Sequence, residues 1–314
     1  VQYRQHNKYL PTSVVGGFGA TALACRLMGL SVDQTVHAFG IYYSHASGNR
    51  QALFDRTLTK RIQPAVAVRA ALTAAGLAAK GFTGPENVLI SEAGLYRIYG
   101  GYQGELPGLE AFQRTEGKWA IEDLAFKHFA CCGASHPAIQ SALQLKDENG
   151  LTLQDIESIE LFGIFVGSGM VDVPWEDSEN PHVLAQFCAP YEVVSAIRNG
   201  RFGPEEVSVK RIRVDKEVDR MARQVVIRHQ DEWGEGYPGG QTVRITTRDG
   251  RKLVASSTPL KTFDPRSWNW EMIEEKFLQN AAYSGLVTPE EAREIARRVQ
   301  SMDQHSSALL EIIR

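Results

Sequence analysis

Ile156-Glu157-Ser158-Ile159-Glu160-Leu161-Phe162-Gly163-Ile164-Phe165-Val166 is the first stretch of the chain rich enough in apolar and β-branched residues to read as a buried strand. Up to Tyr99 the chain shows no convincing strand and reads as a series of helices. Pro11-Thr12-Ser13 leads into a small-residue run, Val14 to Gly29, where Phe18, Ala22, Cys25 and Leu27 or Met28 keep a helical spacing, with Thr12 or Ser13 as N-cap and Gly29 as the stop. Ser31-Val32-Asp33-Gln34 has the form of a capping box and predicts a second helix to about Ser44. Pro64 opens an alanine-rich helix, Ala65 to Lys80, which Gly81-Phe82-Thr83-Gly84-Pro85 ends, and short helical pieces follow at Glu86 to Leu89 and Ser91 to Tyr99.

Beyond the strand the pattern is mixed. Val207 to Val214, Arg223 to His229 and Gln241 to Arg248 alternate apolar and polar side chains, and Asp249-Gly250 is a hairpin turn into Lys252 to Ser256. Helices are expected at Pro137 to Glu148 and His182 to Arg198. Helical spacing returns at Trp268, Met272, Ile273 and Phe277, Thr288-Pro289-Glu290-Glu291 starts another helix, and a short one closes the chain at Ser306 to Ile313. The fold class read from this order is α+β: an all-helical domain built from both chain ends, residues 1–120 and 264–314, with a smaller α+β domain, 121–263, inserted. A cleft between the two is the expected site.

The 314 residues, 43% of them hydrophobic, can bury a sizeable core. A net charge of -3 without long single-sign runs gives no support to a nucleic-acid or membrane-surface partner and leaves a small molecule as the expected one. No run approaches the roughly 20 uninterrupted apolar residues of a membrane span, and the start has no signal-peptide core, so the cytoplasm is the expected location. The chain opens on Val1 and enters a helical pattern almost at once, from which a preceding segment is expected to be missing. Four cysteines are too few for a disulfide framework, and reduced thiols are expected.

The densest group of ionisable residues is Lys127-His128-Phe129-Ala130-Cys131-Cys132-Gly133-Ala134-Ser135-His136, just ahead of Pro137. Adjacent cysteines do not give the spaced pairs that hold zinc, so no metal site is expected, and a packed or site-lining thiol is the better reading. His136 stands at a helix start, where the dipole favours an anion and depresses the imidazole pKa toward its neutral, basic form; a capping or structural histidine is the plainer alternative. His128 is expected to face away. Gly16-Gly17-Phe18-Gly19 lacks the preceding strand and the following Lys-Ser/Thr of a phosphate loop.

Ala71-Leu72-Thr73-Ala74-Ala75-Gly76-Leu77-Ala78-Ala79-Lys80-Gly81-Phe82-Thr83-Gly84-Pro85, preceded by Lys60-Arg61-Ile62-Gln63-Pro64, resembles the MmgE/PrpD family, which includes 2-methylcitrate dehydratase, cis-aconitate decarboxylase and iminodisuccinate epimerase. Lys127 to His136, Ala185-Gln186-Phe187-Cys188-Ala189-Pro190-Tyr191 and the Trp268 to Phe277 segment agree with it. The resemblance implies homodimers, a small di- or tricarboxylate substrate, and a site that works without metal or organic cofactor. It also implies on the order of one hundred further residues ahead of this chain, a unit of domain size. Lys60 and Lys127 each match a family lysine and are the leading candidates to bind or polarise carboxylates, with Arg61 as an added grip. Tyr191 carries an O–H for the substrate or for proton return, or is a half-buried helix residue. Thr12 holds a carboxylate or simply caps its helix, and Cys132 lines the substrate side.

The chain departs from the family at Leu10, where a histidine commonly precedes the Pro-Thr dipeptide; leucine transfers no proton, and His6 is a possible substitute. The expected function is a cofactor-independent lyase, a dehydratase of a hydroxylated tricarboxylate such as 2-methylcitrate, in which Lys60 and Lys127 hold carboxylates, His136 moves the proton and Tyr191 assists. Decarboxylation or epimerisation by the same parts is the near alternative. A non-catalytic carboxylate-binding protein is the distant one.

Overall fold

The computed structural model describes residues 8–101, 120–164, 170–258, 264 and 267–301. His6 and the expected helix Ser306–Ile313 lie outside them. The chain divides into two compact units, Val1–Gly117 and Lys118–Arg314. Residues 264–314, expected from the sequence to join the first helices, fall in the second unit in this division.

The first unit is helical: α1 Pro11–Val14, α2 Gly16–Leu27, α3 Val32–His45, α4 Gln51–Phe54, α5 Thr59–Ala79 and α6 Leu95–Ile98. Pro11 takes the first helical position of α1, so extended Leu10 is the N-cap and makes no side-chain cap. Thr12 and Ser13 therefore sit inside the helix and cap nothing, and the single helix expected from Val14 is interrupted at Val15. The Ser31 box forms as read: the Ser31 hydroxyl accepts from the Gln34 N–H at 3.2 Å while Gln34 Oε1 accepts from the Ser31 N–H at 3.0 Å.

Helix α5 begins at Thr59, five residues before the proline expected to open it. Pro64 sits inside, at the loss of one backbone hydrogen bond, and Lys60 and Arg61 thereby occupy the first turn. Ala67, Ala71, Ala74, Ala75 and Ala78 are buried along one row of α5, which packs on α2 and α3. Among the described residues α5 alone is long and apolar enough to cross a membrane; its alanine row is packed, while Ile62, Val66, Val68 and Leu72 on it are exposed.

Two glycines let the segment after α5 lie on α3. A Cβ at Gly40 would stand 2.3 Å from the Pro85 carbonyl oxygen, and one at Gly84 would stand 2.4 Å from that of His37. The Gly81–Pro85 stretch that carries the family resemblance is thus fixed by backbone-to-backbone approach. Tyr42 adds a pin, its hydroxyl donating to the Ser13 carbonyl at 2.8 Å.

The second unit is built on a four-stranded mixed sheet, in the order β2 Val226–Arg228, β1 Ile156–Phe162, β3 Gln241–Thr247, β4 Lys252–Ser257. β1 is parallel to β2 and antiparallel to β3, and β3 pairs antiparallel with β4 across the Asp249-Gly250 turn, with Gly250 at φ 89° as that turn requires. Helix α7, His136–Asn149, packs on β3 and β4, and α9, Ala189–Asn199, packs on α7. Ile139, Ile156, Leu161, Val193, Ile197 and Ile245 are among the fully buried side chains between them.

Three readings change here. Val207 to Val214 is not a strand: Ser208 accepts from the Arg211 N–H and caps a helix, α10 Val209–Val214, with Val209 and Ile212 at helical spacing. The helix expected over His182 to Arg198 is two, α8 Pro181–Leu184 and α9, because Cys188 is extended at φ -137° ahead of Ala189-Pro190. The expected helical piece at Glu86 to Leu89 does not form, and only Leu95–Ile98 of the next one does. The remaining helices of the unit are α11 Lys216–Ala222, α12 Trp270–Ser284 and α13 Pro289–Gln300, the last opened by the expected Thr288–Glu291 box.

A methyl group at Gly40 has no room against the Pro85 backbone, whereas one at Gly19, exposed in α2, meets nothing within 4 Å. Gly40→Ala is expected to lower stability by about 1–3 kcal/mol, and Gly19→Ala to raise it by about 0.5–1 kcal/mol, both read by chemical denaturation. A neutral Gly40→Ala would contradict the close approach.

Candidate functional site

The second unit contains a cavity of about 800 Å³, lined by Lys127, His128 and Phe129, by the turn around Phe202, and by Trp268 and Lys276 from the start and middle of α12. Residues 127–130 form one wall, and the 127–135 segment they begin has almost no regular structure of its own, so its shape depends on hydrogen bonds from elsewhere. The Ala130 N–H donates to the Phe202 carbonyl at 3.2 Å and the Cys132 N–H to the Gln186 carbonyl at 2.9 Å. Gln186 returns a bond from Nε2 to the Ala130 carbonyl at 3.1 Å. Gln241, buried at the start of β3, donates from Nε2 to the Ala134 carbonyl and accepts through Oε1 from the Ala138 N–H at 3.1 Å. That N–H is one of the donors a helix start leaves without an intrahelical partner, so one glutamine serves both the segment and α7.

Lys127 stands at the front of this wall and turns its ammonium back to the Cys131 carbonyl at 2.9 Å. Lys276 faces the same cavity from α12, half-buried, and its pKa is lowered first by burial and then by Lys127. Neither lysine has an ion-pair partner among the described residues. Glu205, Glu206 and Glu275 also line the cavity, without an ion pair to either lysine among the described residues; the two neighbouring cations raise one another's energy, and an anion between them relieves it. His128 stacks on Trp268 with ring centroids 4.4 Å apart, and burial followed by the Lys276 charge holds it below the ordinary imidazole range. The Trp268 Nε1–H is buried without a hydrogen-bond partner among the described residues.

His136 is fully buried at the first position of α7. Phe129, which lines the cavity, packs edge-on against it at 5.1 Å. Its pKa is pushed down to about 4, by burial first and then by Lys127 and His128, while the Phe129 and Cys131 backbone pull the other way. The imidazole is neutral as expected, with burial as its main cause.

Thr12, Lys60 and Arg61 belong to the first unit, where Thr12 and Arg61 are exposed and Lys60 is half-buried. Lys127, Cys132, His136 and Tyr191 belong to the second. Cys132 is half-buried on the loop, and Cys131 is buried behind it with its thiol pKa raised well above the usual value, by burial first and then by Glu192. Tyr191 is a core residue: its ring stacks on Trp175 at 4.2 Å and its hydroxyl donates to the Glu206 carbonyl at 2.7 Å. Burial raises its pKa far above the phenol range, so that hydroxyl is occupied and not acidic. Among the described residues no three His, Cys, Asp or Glu side chains are grouped to hold a metal ion.

His128, expected from the sequence to face away, lines the cavity, and sequence reasoning passed over Trp268, Lys276 and Glu192 as site residues. Trp268 and Lys276 lie well over a hundred positions from Lys127, and no periodicity links them. Glu192 was hidden by its type, since a glutamate one place after Tyr191 on a helix reads as a solvent-facing residue.

In comparisons with known proteins, residues 1–105 match the MmgE/PrpD N-terminal domain and residues 129–304 the MmgE/PrpD C-terminal domain. Cis-aconitate decarboxylase of Homo sapiens is 30% identical over 142 residues, which are 44% of this chain and 28% of that protein. Cis-aconitate decarboxylase-like protein oryM of Aspergillus oryzae is 31% identical over 143 residues, 42% of this chain and 28% of that protein. Cis-aconitate decarboxylase of Mus musculus is 30% identical over 142 residues, again 28% of its length. The matches thus span under a third of each of these relatives.

With a folded-state pKa near 4 against the ordinary 6.5, His136 stays neutral in a pH range where the unfolded chain binds its proton. Its contribution is complete above pH 6.5 and is lost as pH falls toward 4, by up to about 3 kcal/mol. Denaturation curves of the wild type and His136→Gln between pH 7.5 and 4 are expected to differ by a flatter acid limb in the variant; parallel limbs would assign the loss to other groups.

Proposed function

The chain belongs to the MmgE/PrpD family, and from that membership and the two lysines on the cavity we propose that it is a cofactor-independent lyase of a small di- or tricarboxylate. The observation that carries the proposal is the pair Lys127 and Lys276 on one cavity with no carboxylate bound to either among the described residues. A polycarboxylate supplies the missing charge, and the cations then hold its carboxyl groups and stabilise negative charge that develops beside them. The Trp268 N–H adds a donor, and Lys60 with Arg61 in the first turn of α5 keep the carboxylate-binding role implied by the resemblance.

The named relatives favour decarboxylation of an unsaturated tricarboxylate. The bond from carbon to one carboxylate breaks, carbon dioxide leaves, and the electron pair delocalises into the neighbouring unsaturated carboxylate until a proton is returned to carbon. Dehydration uses the same charge stabilisation: a C–H bond next to a carboxylate breaks and hydroxide leaves as water. The proton carrier is an imidazole in this reading. His136 is neutral and close behind Phe129, and His128 is neutral and on the cavity wall. Leu10 cannot serve.

Incubation with cis-aconitate, citrate and 2-methylcitrate, followed by carbon dioxide release and NMR in deuterated water, tests this. Turnover of at least one is expected, with Lys127→Ala lowering kcat/KM by about a hundredfold, the scale of one lost charge-stabilising group, and Lys276→Ala acting mainly on KM. Folded protein that binds a polycarboxylate yet neither turns over nor exchanges a proton on any of the three would replace the enzyme with a binding protein.

A further inference from the structure

Beneath the 127–135 segment lies a carboxyl group with no role in the reading above. Glu192, in the first turns of α9, is fully buried, and neither of its carboxyl oxygens meets a partner at full hydrogen-bond geometry among the described residues, although the Ser135 hydroxyl and the Cys188 backbone are polar neighbours that favour its ionised form. A buried ionised carboxylate without partners is among the costliest groups a fold can contain, whereas the neutral acid costs far less. The groups facing it come from the segment that forms the cavity wall: Lys127, the Cys131 thiol and the Ser135 hydroxyl, with the Cys188 backbone on its own side. That segment is also joined within itself under Glu192, since Ser135 Oγ donates to the Cys132 carbonyl at 3.0 Å and lies 3.8 Å from the Cys131 sulfur.

We propose that Glu192 is a positioning residue for Lys127: uncharged, it supports the 127–135 segment from below and leaves the ammonium to the cavity, and charged, it draws that ammonium inward. The geometry supplies the two positions. Lys127 lines the cavity and yet already turns back to the Cys131 carbonyl at 2.9 Å, and Glu192 is a charge neighbour of both Lys127 and Cys131, so a negative charge on it strengthens the inward alternative. Burial raises the Glu192 pKa to about 8, against the pull of Ser135, the Cys188 backbone and Lys127. The acid is therefore neutral at pH 7 and ionises just above it. Of the neighbouring groups, His128 and His136 are shifted below the ordinary imidazole value, burial holds the Cys131 thiol well above the usual thiol value, and Lys276, lowered by burial and by Lys127, is common to the wild type and Glu192→Gln and drops out of their comparison.

The inference rests on the reading of Lys127 as a carboxylate-holding group, and its test separates the two. The first arm is calorimetric binding of tricarballylate, an unreactive tricarboxylate fully ionised above pH 7, to the wild type, Glu192→Gln and Lys127→Ala between pH 6.5 and 9.5. Wild-type affinity is expected to fall about tenfold through pH 8, Glu192→Gln to bind alike at pH 7 and pH 9, and Lys127→Ala to bind weakly throughout. The same fall in Glu192→Gln would overturn the proposal. The second arm needs no ligand: NMR of lysine side chains labelled with 15N and 13C, with Lys127 assigned through Lys127→Arg. A Lys127 resonance that shifts through pH 8 in the wild type and not in Glu192→Gln upholds the coupling even if tricarballylate does not bind, in which case only the carboxylate reading fails. A Lys127 resonance with no inflection there overturns the coupling whatever the binding shows.

Discussion

The side chain of Gln241 holds together three pieces that the chain order separates. It stands at the start of β3, donates to the Ala134 carbonyl of the cavity wall, and accepts from the Ala138 N–H at the start of α7. Both ends of the amide are used, and both partners are backbone groups that burial forbids to be left unpaired. Without it the segment would lose this bond to the sheet and the Ala138 N–H at the start of α7 would lose its acceptor. Gln186 does the same from the other side, with its carbonyl on Cys132 and its side chain on Ala130. The position of Lys127 follows from these bonds rather than from any helix or strand of its own.

This arrangement explains why the chemistry sits where secondary structure is least regular. A segment bound through its backbone leaves its side chains free, and Lys127, His128 and Phe129 all reach the cavity. The charges there are arranged against one another: two lysines with no ion pair among the described residues, two imidazoles kept neutral, and a buried carboxyl group near them that burial keeps protonated at neutral pH. Such groups contribute little to stability and are placed at its expense. The surrounding core of α7, α9 and the sheet supplies the apolar burial that compensates.

Much of the fold was legible because it is local. The Ser31 and Thr288 boxes, the Asp249-Gly250 turn and the β1 strand each announce themselves within a few residues; the boxes and the turn form as read, and the strand forms over Ile156–Phe162 and stops short of the expected Val166 at Gly163, where φ is 70°. The misreadings occur where tertiary context decides. Val207 to Val214 alternates well enough for a strand, but Ser208 finds the Arg211 N–H and starts a helix. Pro64 is a good helix opener that the chain uses one turn late, and that shift places Lys60 and Arg61 on a helix rather than ahead of one. Of the candidate site, Lys127 and His136 were legible from their density in one loop. Lys276 was not, because only packing brings α12 to that loop, and Tyr191 was misjudged because its neighbours Trp175 and Glu206 occupy it. Gln241 carries no sequence signal: its partners are 103 and 107 residues away.

The central claim is that Lys127 meets the ligand from a wall that Gln241 holds in place. A double-mutant cycle with Gln241→Leu and Lys127→Ala, read as tricarballylate affinity at pH 7 in folded protein, tests it directly. If the glutamine acts through the position of the lysine, Gln241→Leu weakens binding in the wild-type background and adds little once Lys127 is gone, a coupling of about 1 kcal/mol or more. Losses that simply add would show that the two residues act independently and would contradict the account.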